Sequence, residues 1–185
     1  MAVKLVGLPL APETIANLRA GDRVELTGVL YTARDAAHKR MYESLERGEK
    51  LPFDLEGQTI YYVGPTPPKP GQIIGSAGPT TSGRMDKYTP RLLERGLKGM
   101  IGKGRRQKEV KDAIVRHGAV YFAAVGGAAA LIAKTIKRAE VIGYPDLGTE
   151  AIYRLEVERF PAIVINDIYG ADLYVDGERK FRTME

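Results

Sequence analysis

The stretch GMIGKGRRQKEVKDAIVRHGAVYFAAVGGAAALIAKTIKRAEVIG, residues 99–143, decides the fold. It opens with a short apolar strand, Gly99 to Ile101, breaks at Gly102-Lys103-Gly104, and continues as a helix from Gln107 to Arg116 with Val110, Ile114 and Val115 inward. A strand from Ala119 to Val125 comes next, then Gly126-Gly127, a helix from Ala128 to Arg138, and a strand from Glu140 to Gly143. Upstream, a strand from Gln58 to Val63 runs through a proline-rich surface connection, residues 64–71, towards a helix from Tyr88 to Leu97 restarted at Pro90. Strand, glycine turn and helix thus recur three times, which predicts parallel strands joined by crossover helices. The carboxyl ends of such strands share one edge, where ligands normally bind.

The flanks complete the sheet. Lys4 to Leu10 reads as an edge strand ending at Pro9, and Pro12 to Leu18 as a short helix with proline in its first turn. Arg23 to Thr32 alternates, with Val24, Leu26, Gly28 and Leu30 on one face and Arg23, Glu25 and Thr27 on the other, so it predicts a half-buried strand. Asp35 is the N-cap candidate of an amphipathic helix carrying Ala37, Met41 and Leu45 up to the stop at Gly48. In the tail, Ala151 to Val157 and Ala162 to Asp167 read as two strands of a closing hairpin. A turn at Tyr169-Gly170-Ala171-Asp172 then leads into a last strand, Leu173 to Val175. The expected class is α/β, a mixed sheet flanked by helices, with residues 1–185 forming one domain.

Composition narrows the chemistry. The 185 residues are 44% apolar and 28% charged, enough for an ordinary core. There is no cysteine, so the chain supplies no thiolate to a metal or an iron–sulfur cluster, and His38 and His117 alone leave little for zinc. No apolar run reaches the ~20 residues of a membrane span, and Met1 to Pro12 lacks the pattern of a secretion signal, so a cytoplasmic location is expected. The net charge is +5, but the basic residues interleave with acids such as Glu43, Glu46, Glu49, Glu109 and Asp112. Solvated mixed-charge helix faces explain that pattern better than RNA binding.

Residues 78–86, Gly-Pro-Thr-Thr-Ser-Gly-Arg-Met-Asp, gather three hydroxyls, two glycines and an arginine in a turn expected to open a helix. Such a turn offers an anion backbone N–H groups and a fixed cation. The Gly78 to Gly83 spacing imitates a P-loop, but Arg84 and Met85 stand where Lys and Ser/Thr are required, and Pro79 deletes an N–H; a nucleotide site is excluded. Arg34, Arg84 and Lys103 each sit at a strand-to-helix junction or beside glycine, so in a parallel arrangement they project over the same edge. Two guanidiniums and an ammonium suit a small dicarboxylate, although any one of them alone is ordinarily a surface ion-pair partner. Thr80, Thr81 and Ser82 are candidates for capping or for hydrogen bonding to a ligand. His38, one helical turn after Arg34, is placed to face the same pocket, although a lone helical histidine is ordinarily a surface residue; Gly126-Gly127 is expected close to a ligand or a packing contact, and Asp86 and Asp167 beside arginines.

These segments taken in order, 78–86, Gly102-Lys103-Gly104, Ala-Val-Gly-Gly-Ala-Ala-Ala at 124–130 and Glu-Val-Glu-Arg-Phe-Pro-Ala at 156–162, closely resemble the beta subunit, or carboxy-terminal domain, of class I iron–sulfur fumarases and L-tartrate dehydratases. Arg34-Asp35-Ala36-Ala37-His38 matches that family as well. The resemblance implies a swivelling α/β domain that closes over an active site on a separate alpha subunit. That partner carries a four-iron four-sulfur cluster whose open iron binds the substrate hydroxyl and one carboxylate. The resemblance also implies an assembly with two copies of each chain. By the same resemblance Arg34, Arg84 and Lys103 bind substrate carboxylates, Thr81 and Gly83 belong to the substrate-binding turn, and Thr80 is the proposed base. Arg105-Arg106 departs from the smaller residue expected after the lysine loop.

The function implied is a cluster-free subunit of a hydro-lyase interconverting malate and fumarate, with tartrate dehydration as the alternative within the family. A stand-alone module that binds small anions without chemistry is the alternative outside it. No cofactor is expected on this chain, and neither nucleic acid nor membrane among its partners.

Overall fold

The computed structural model describes residues 2–124 and 129–182. Five strands run parallel and side by side: β1 (Lys4–Gly7), β2 (Arg23–Thr32), β3 (Thr59–Tyr61), β4 (Gly99–Gly102) and β5 (Val120–Ala123). The half-buried strand predicted for 23–32 forms with those bounds, and Val24, Leu26, Leu30 and Thr32 are its buried residues. Helices α1 (Pro12–Ala16), α2 (Asp35–Glu46), α3 (Thr89–Glu94) and α4 (Lys108–His117) occupy the connections, as the glycine and proline punctuation requires. The left-handed Gly118, at φ 60°, ends α4.

The tail is where pattern and structure part. The two strands expected of a hairpin are one continuous strand, β7 (Ile152–Asn166), antiparallel to its neighbours. Its long ladder pairs Arg154 to Ile163 with β2, while its opposite edge takes β6 (Ile136–Gly143) along residues 152–157 and β5 along residues 163–166. The switch falls at a bulge, where two residues of β7, Glu158 and Arg159, stand opposite Thr27 alone. Arg159 is left-handed there, at φ 54°, and its N–H donates to Thr27 Oγ1 at 3.0 Å. The predicted hairpin turn is therefore a kink within one strand.

Because β7 pairs with both β2 and β5, strands β2, β3, β4, β5 and β7 close into a five-stranded ring, with β1 and β6 as flanking additions. Closure makes the two faces of each strand unequal. Leu26, Leu30, Tyr61, Ile101, Phe122 and Phe160 come from all five strands and form one buried cluster. Their alternating neighbours Ile60, Tyr62, Met100 and Tyr121 join a second cluster with Met41 of α2, Leu92 of α3 and Ile114 of α4. The first fills the ring; the second is the layer beneath the outer helices.

Other expectations shift for identifiable reasons. The helix predicted over 128–138 is α5 (Ala129–Thr135), because Ile136 onward pairs with β7 as β6. The third crossover therefore does not place its strand beside β5, since β7 lies between them. Leu173 to Val175 is not a strand but the start of α6 (Leu173–Phe181), capped by Asp172, whose side chain accepts from the Tyr174 N–H at 3.1 Å. Residue 34, not Asp35, is the N-cap of α2, and it makes no side-chain capping bond. Gly126-Gly127 lies outside the described residues.

Phe160 is fully buried within the ring, edge-on to Tyr61 at 5.1 Å between centroids. Phe160→Ala is expected to cost about 3–5 kcal/mol, read as a fall in the urea midpoint at unchanged slope. A loss under about 1 kcal/mol would contradict a packed interior at this position.

Candidate functional site

The parallel strands bring their carboxyl ends to one rim, where the chain leaves them for the connecting loops. Ala33 and Arg34 come after β2, Tyr62 after β3, Lys103 after β4 and Ala124 after β5. Backbone bonds tie these exits together: Ala33 N–H to Tyr61 O (3.2 Å), Tyr62 N–H to Ile101 O (2.8 Å) and Ala124 N–H to Gly102 O (3.0 Å). The predicted convergence of strand-end residues on one edge is the observed arrangement.

The segment 80–82 docks on that rim as an extra bridge. Thr80 N–H donates to Tyr62 O at 2.8 Å, Ser82 N–H to Lys103 O at 2.9 Å and Lys103 N–H to Thr80 O at 3.2 Å, so Thr81 pairs in parallel with Lys103. Two of the N–H groups expected to cradle an anion are thus spent on the sheet. The chain continues as a single 3-10 turn, Ser82–Met85, without a side-chain cap, rather than as the start of a long helix. Capping does not explain the three hydroxyls.

Gly102 is required by this docking, since a Cβ there would collide with Ser82 Oγ and the Tyr62 ring. Ser82 Oγ and Tyr121 OH lie 2.9 Å apart, and Tyr121 OH donates to Gly104 O at 2.8 Å, closing the glycine loop onto the barrel wall.

Beneath the loop lies a buried ion pair. Arg106 donates to Asp86 Oδ1 at 2.6 Å and Thr89 Oγ1 at 2.9 Å, and its guanidinium lies 4.9 Å from the centroid of the Tyr121 ring. Asp86 also accepts from the Gln107 N–H at 2.7 Å. The expectation that Asp86 orients an arginine is met, and that arginine is Arg106. Arg105, its neighbour, points instead to Glu178. Asp167 differs from expectation, accepting from the backbone N–H groups of Ala20, Tyr169 and Ala171.

At the surface of this floor, Arg34 and Arg84 meet. Asp35 Oδ2 lies 3.2 Å from Arg84 Nη2 and 3.6 Å from Arg34 Nε, and Arg84 Nη2 donates to Thr80 Oγ1 at 3.3 Å. Glu150, on a 3-10 segment (Pro145–Glu150) preceding β7, reaches across: Oε1 lies 3.4 Å from Arg34 Nη2, and Oε2 accepts the Ala36 N–H at 2.9 Å. Gly64 leaves room for Arg34, since a Cβ there would stand 2.7 Å from Nη1. Arg34, Thr80 and Arg84 are therefore gathered into one constellation. Lys103 and Thr81 join through their backbone bridge and are exposed, and Gly83 sits within the turn. Glu150 was missed because more than a hundred residues separate it from Arg34 and no motif links them.

His38 is buried, not on the surface. Its Nδ1 lies 2.9 Å from Arg34 O, so it is the donor in that bond, and among the described residues Nε2 has no partner. Burial pushes its pKa down to about 4, opposed by the bond to Arg34 O and reinforced by the Arg106 charge. Among the described residues, no group of three or more His, Cys, Asp or Glu side chains is placed to hold a metal ion.

Comparison with known proteins adds an independent observation. The family model described as "Fumarase C-terminus" matches residues 1–177. The chain is 44% identical over 164 residues to the aerobic class I fumarate hydratase of Salmonella typhimurium, covering 88% of this chain but 28% of that enzyme. It is 41% identical over 164 residues to fumarate hydratase 2 of Leishmania major, covering 88% of this chain and 29% of that protein. It is 40% identical over 177 residues to the "Putative L(+)-tartrate dehydratase subunit beta" of Methanocaldococcus jannaschii, covering 92% of this chain and 91% of that one. The chain thus spans under a third of the first two relatives and nearly all of the third.

The buried neutral histidine carries a pH signature. The unfolded chain protonates His38 near its ordinary 6.5 and the folded chain only near 4, so the unfolded state binds more protons between those values. The stability contributed by keeping His38 neutral is full above pH 6.5 and is lost as pH falls towards 4. The wild type is expected to lose more stability than His38→Phe between about pH 7 and pH 4.5 in parallel urea titrations. Identical pH dependence in the two proteins would show that His38 titrates normally.

Proposed function

We propose a function from the fact that the chain belongs to the fumarase C-terminus family. It is the beta subunit of a hydro-lyase that interconverts a 2-hydroxy dicarboxylate, foremost malate, and its alkene. The observation that carries this reading is the convergence of Arg34 and Arg84, from separate segments, on a single carboxylate oxygen, with the Thr80 hydroxyl bonded to Arg84. Two guanidiniums aimed at one oxygen form a receptor for carboxylate.

In this reading Arg34, Arg84 and Lys103 hold the substrate carboxylates, with Thr81 and Gly83 shaping the turn beside them. Thr80 Oγ, as alkoxide, takes the proton from the carbon next to the departing hydroxyl. The C–H electron pair becomes the second bond of the alkene as that hydroxyl leaves the adjacent carbon. A threonine hydroxyl is a weak base, and the Arg84 guanidinium beside it favours the alkoxide. In the hydration direction Thr80 returns the proton.

The residues present do not fit an iron–sulfur cluster, because no cysteine exists to hold one. In this reading the cluster of the proposed enzyme sits on an alpha subunit, over which this domain closes by a swivelling motion, in an assembly with two copies of each chain. The proposed setting is the cytoplasm. Tartrate dehydration is a second reading, favoured by the near-complete coverage of the Methanocaldococcus subunit, and a non-catalytic anion-binding module is a third.

Assay of the co-purified complex with malate, fumarate and both tartrates decides among them; binding of dicarboxylate without turnover would leave only the module. Arg84→Lys keeps the charge but loses the planar fork. It is expected to lower kcat/KM by about tenfold or more, and wild-type kinetics would reduce Arg84 to a surface cation. Thr80→Ala is expected to collapse kcat with little change in KM while the melting temperature stays near wild type. A folded and active variant would move the proton transfer to another group.

A further inference from the structure

Two carboxylates face the Arg34 guanidinium, and their settings differ. Glu150 is anchored at both oxygens, one by the Ala36 N–H at 2.9 Å and the other by Arg34 Nη2 at 3.4 Å. Among the described residues Asp35 has only ion-pair contacts, and both converge on the same oxygen, 3.2 Å from Arg84 Nη2 and 3.6 Å from Arg34 Nε. Its side chain is 40% exposed against 24% for Glu150. Arg34 Nε is itself buried and makes no hydrogen bond among the described residues, so the ion pair with Asp35 leaves this donor unsatisfied. One carboxylate is fixed, and the other is loosely held between two cations that a substrate carboxylate would bridge better.

From this contrast we infer that Asp35 is an internal placeholder. Its carboxylate occupies the anion position between Arg34 and Arg84 in the ligand-free chain, and a substrate carboxylate displaces it, while Glu150 remains and positions Arg34. This inference rests on the dicarboxylate reading above and adds a specificity device to it. Two guanidiniums sharing no anion repel each other, so Asp35 keeps them convergent before the ligand arrives. The placeholder sits within α2 next to Arg34, so its retreat requires only a side-chain rotation. A ligand with a single weak anionic group competes poorly against it, whereas a dicarboxylate also held by Lys103 displaces it at lower concentration.

The two carboxylates then have opposite signatures. In the complex with the cluster-bearing subunit, Asp35→Asn removes the competitor and is expected to lower KM by about two- to fivefold, the range of an exposed ion pair, with kcat little changed. Glu150→Gln keeps an acceptor for the Ala36 N–H but frees Arg34, and is expected to raise KM. Asp146→Asn removes a charge from the Glu150-bearing segment, where Asp146 pairs with Arg40, and is expected to leave KM unchanged. Asp35→Ser repeats the test with a shorter side chain, and thermal denaturation verifies that each variant folds.

A raised KM in both Asp35 variants would make Asp35 a positioning residue and overturn the inference, as would an unchanged KM. An equal fall in Asp146→Asn would reduce the effect to bulk charge and overturn it too. Absence of turnover in the wild-type complex with every dicarboxylate would instead sink the functional reading on which the inference rests.

Discussion

The double pairing of β7 is the constraint on which the rest of the molecule depends. Five parallel strands alone form an open, twisted ribbon with two free edges. One long antiparallel strand, bonded to β2 along one side and to β5 on the other, turns that ribbon into a ring. It does so only because the bulge at Glu158-Arg159 lets the second half of the strand exchange β6 for β5. Closure fixes how far apart the ends of β2, β3 and β4 lie. It thereby sets the separation of Arg34, Thr80 and Lys103 before any side chain is chosen.

Those side chains stand on loops, and loops need their own anchoring to hold a geometry. Here it is supplied by charge buried below the rim. Arg106 and Asp86 are both almost inaccessible, and each spends its remaining capacity on further partners: Thr89 and Tyr62 for the arginine, the Gln107 N–H for the aspartate. A buried pair gains little net stability over an apolar pair of equal volume, but removing one member strands the other at a cost of about 3–5 kcal/mol. It penalises any arrangement in which the lysine loop and the 80–86 turn separate. Specificity of loop position, more than stability, is what such a pair contributes.

Period-two and helical spacing made most of this legible. The alternation over 23–32 predicts a strand with the observed bounds, and the repeated strand, glycine and helix pattern places Arg34, Arg84 and Lys103 at one edge. The features that escaped have causes distant in sequence. A kink and a turn use the same residues, so Glu158-Arg159-Phe160-Pro161 did not distinguish one bent strand from a hairpin. Ile136 to Arg138 continues the helical pattern of α5, and only pairing with β7 makes it strand. Histidine at position 38 is polar in type but sits on the buried face of α2, where one bond to Arg34 O and the Tyr62 ring replace water. Glu150 carried no local signal, because its partner arginine is brought to it by tertiary folding.

The exposure of the constellation explains why, in the proposed enzyme, this chain is half of a site. Arg84 is 48% exposed, and Lys103 and Thr81 are open to solvent. Ion pairs at such positions are worth about 0–1 kcal/mol and are screened by salt, too little to orient a small dicarboxylate or to stabilise an alkoxide on threonine. The same cations become far stronger once water is excluded, since Coulomb attraction scales inversely with the local dielectric constant. The barrel and its buried pair organise donors in advance but leave one face uncovered. A partner surface that covers that face need not change the geometry of Arg34, Thr80 and Arg84; by removing water it raises the energetic worth of contacts that are already in place.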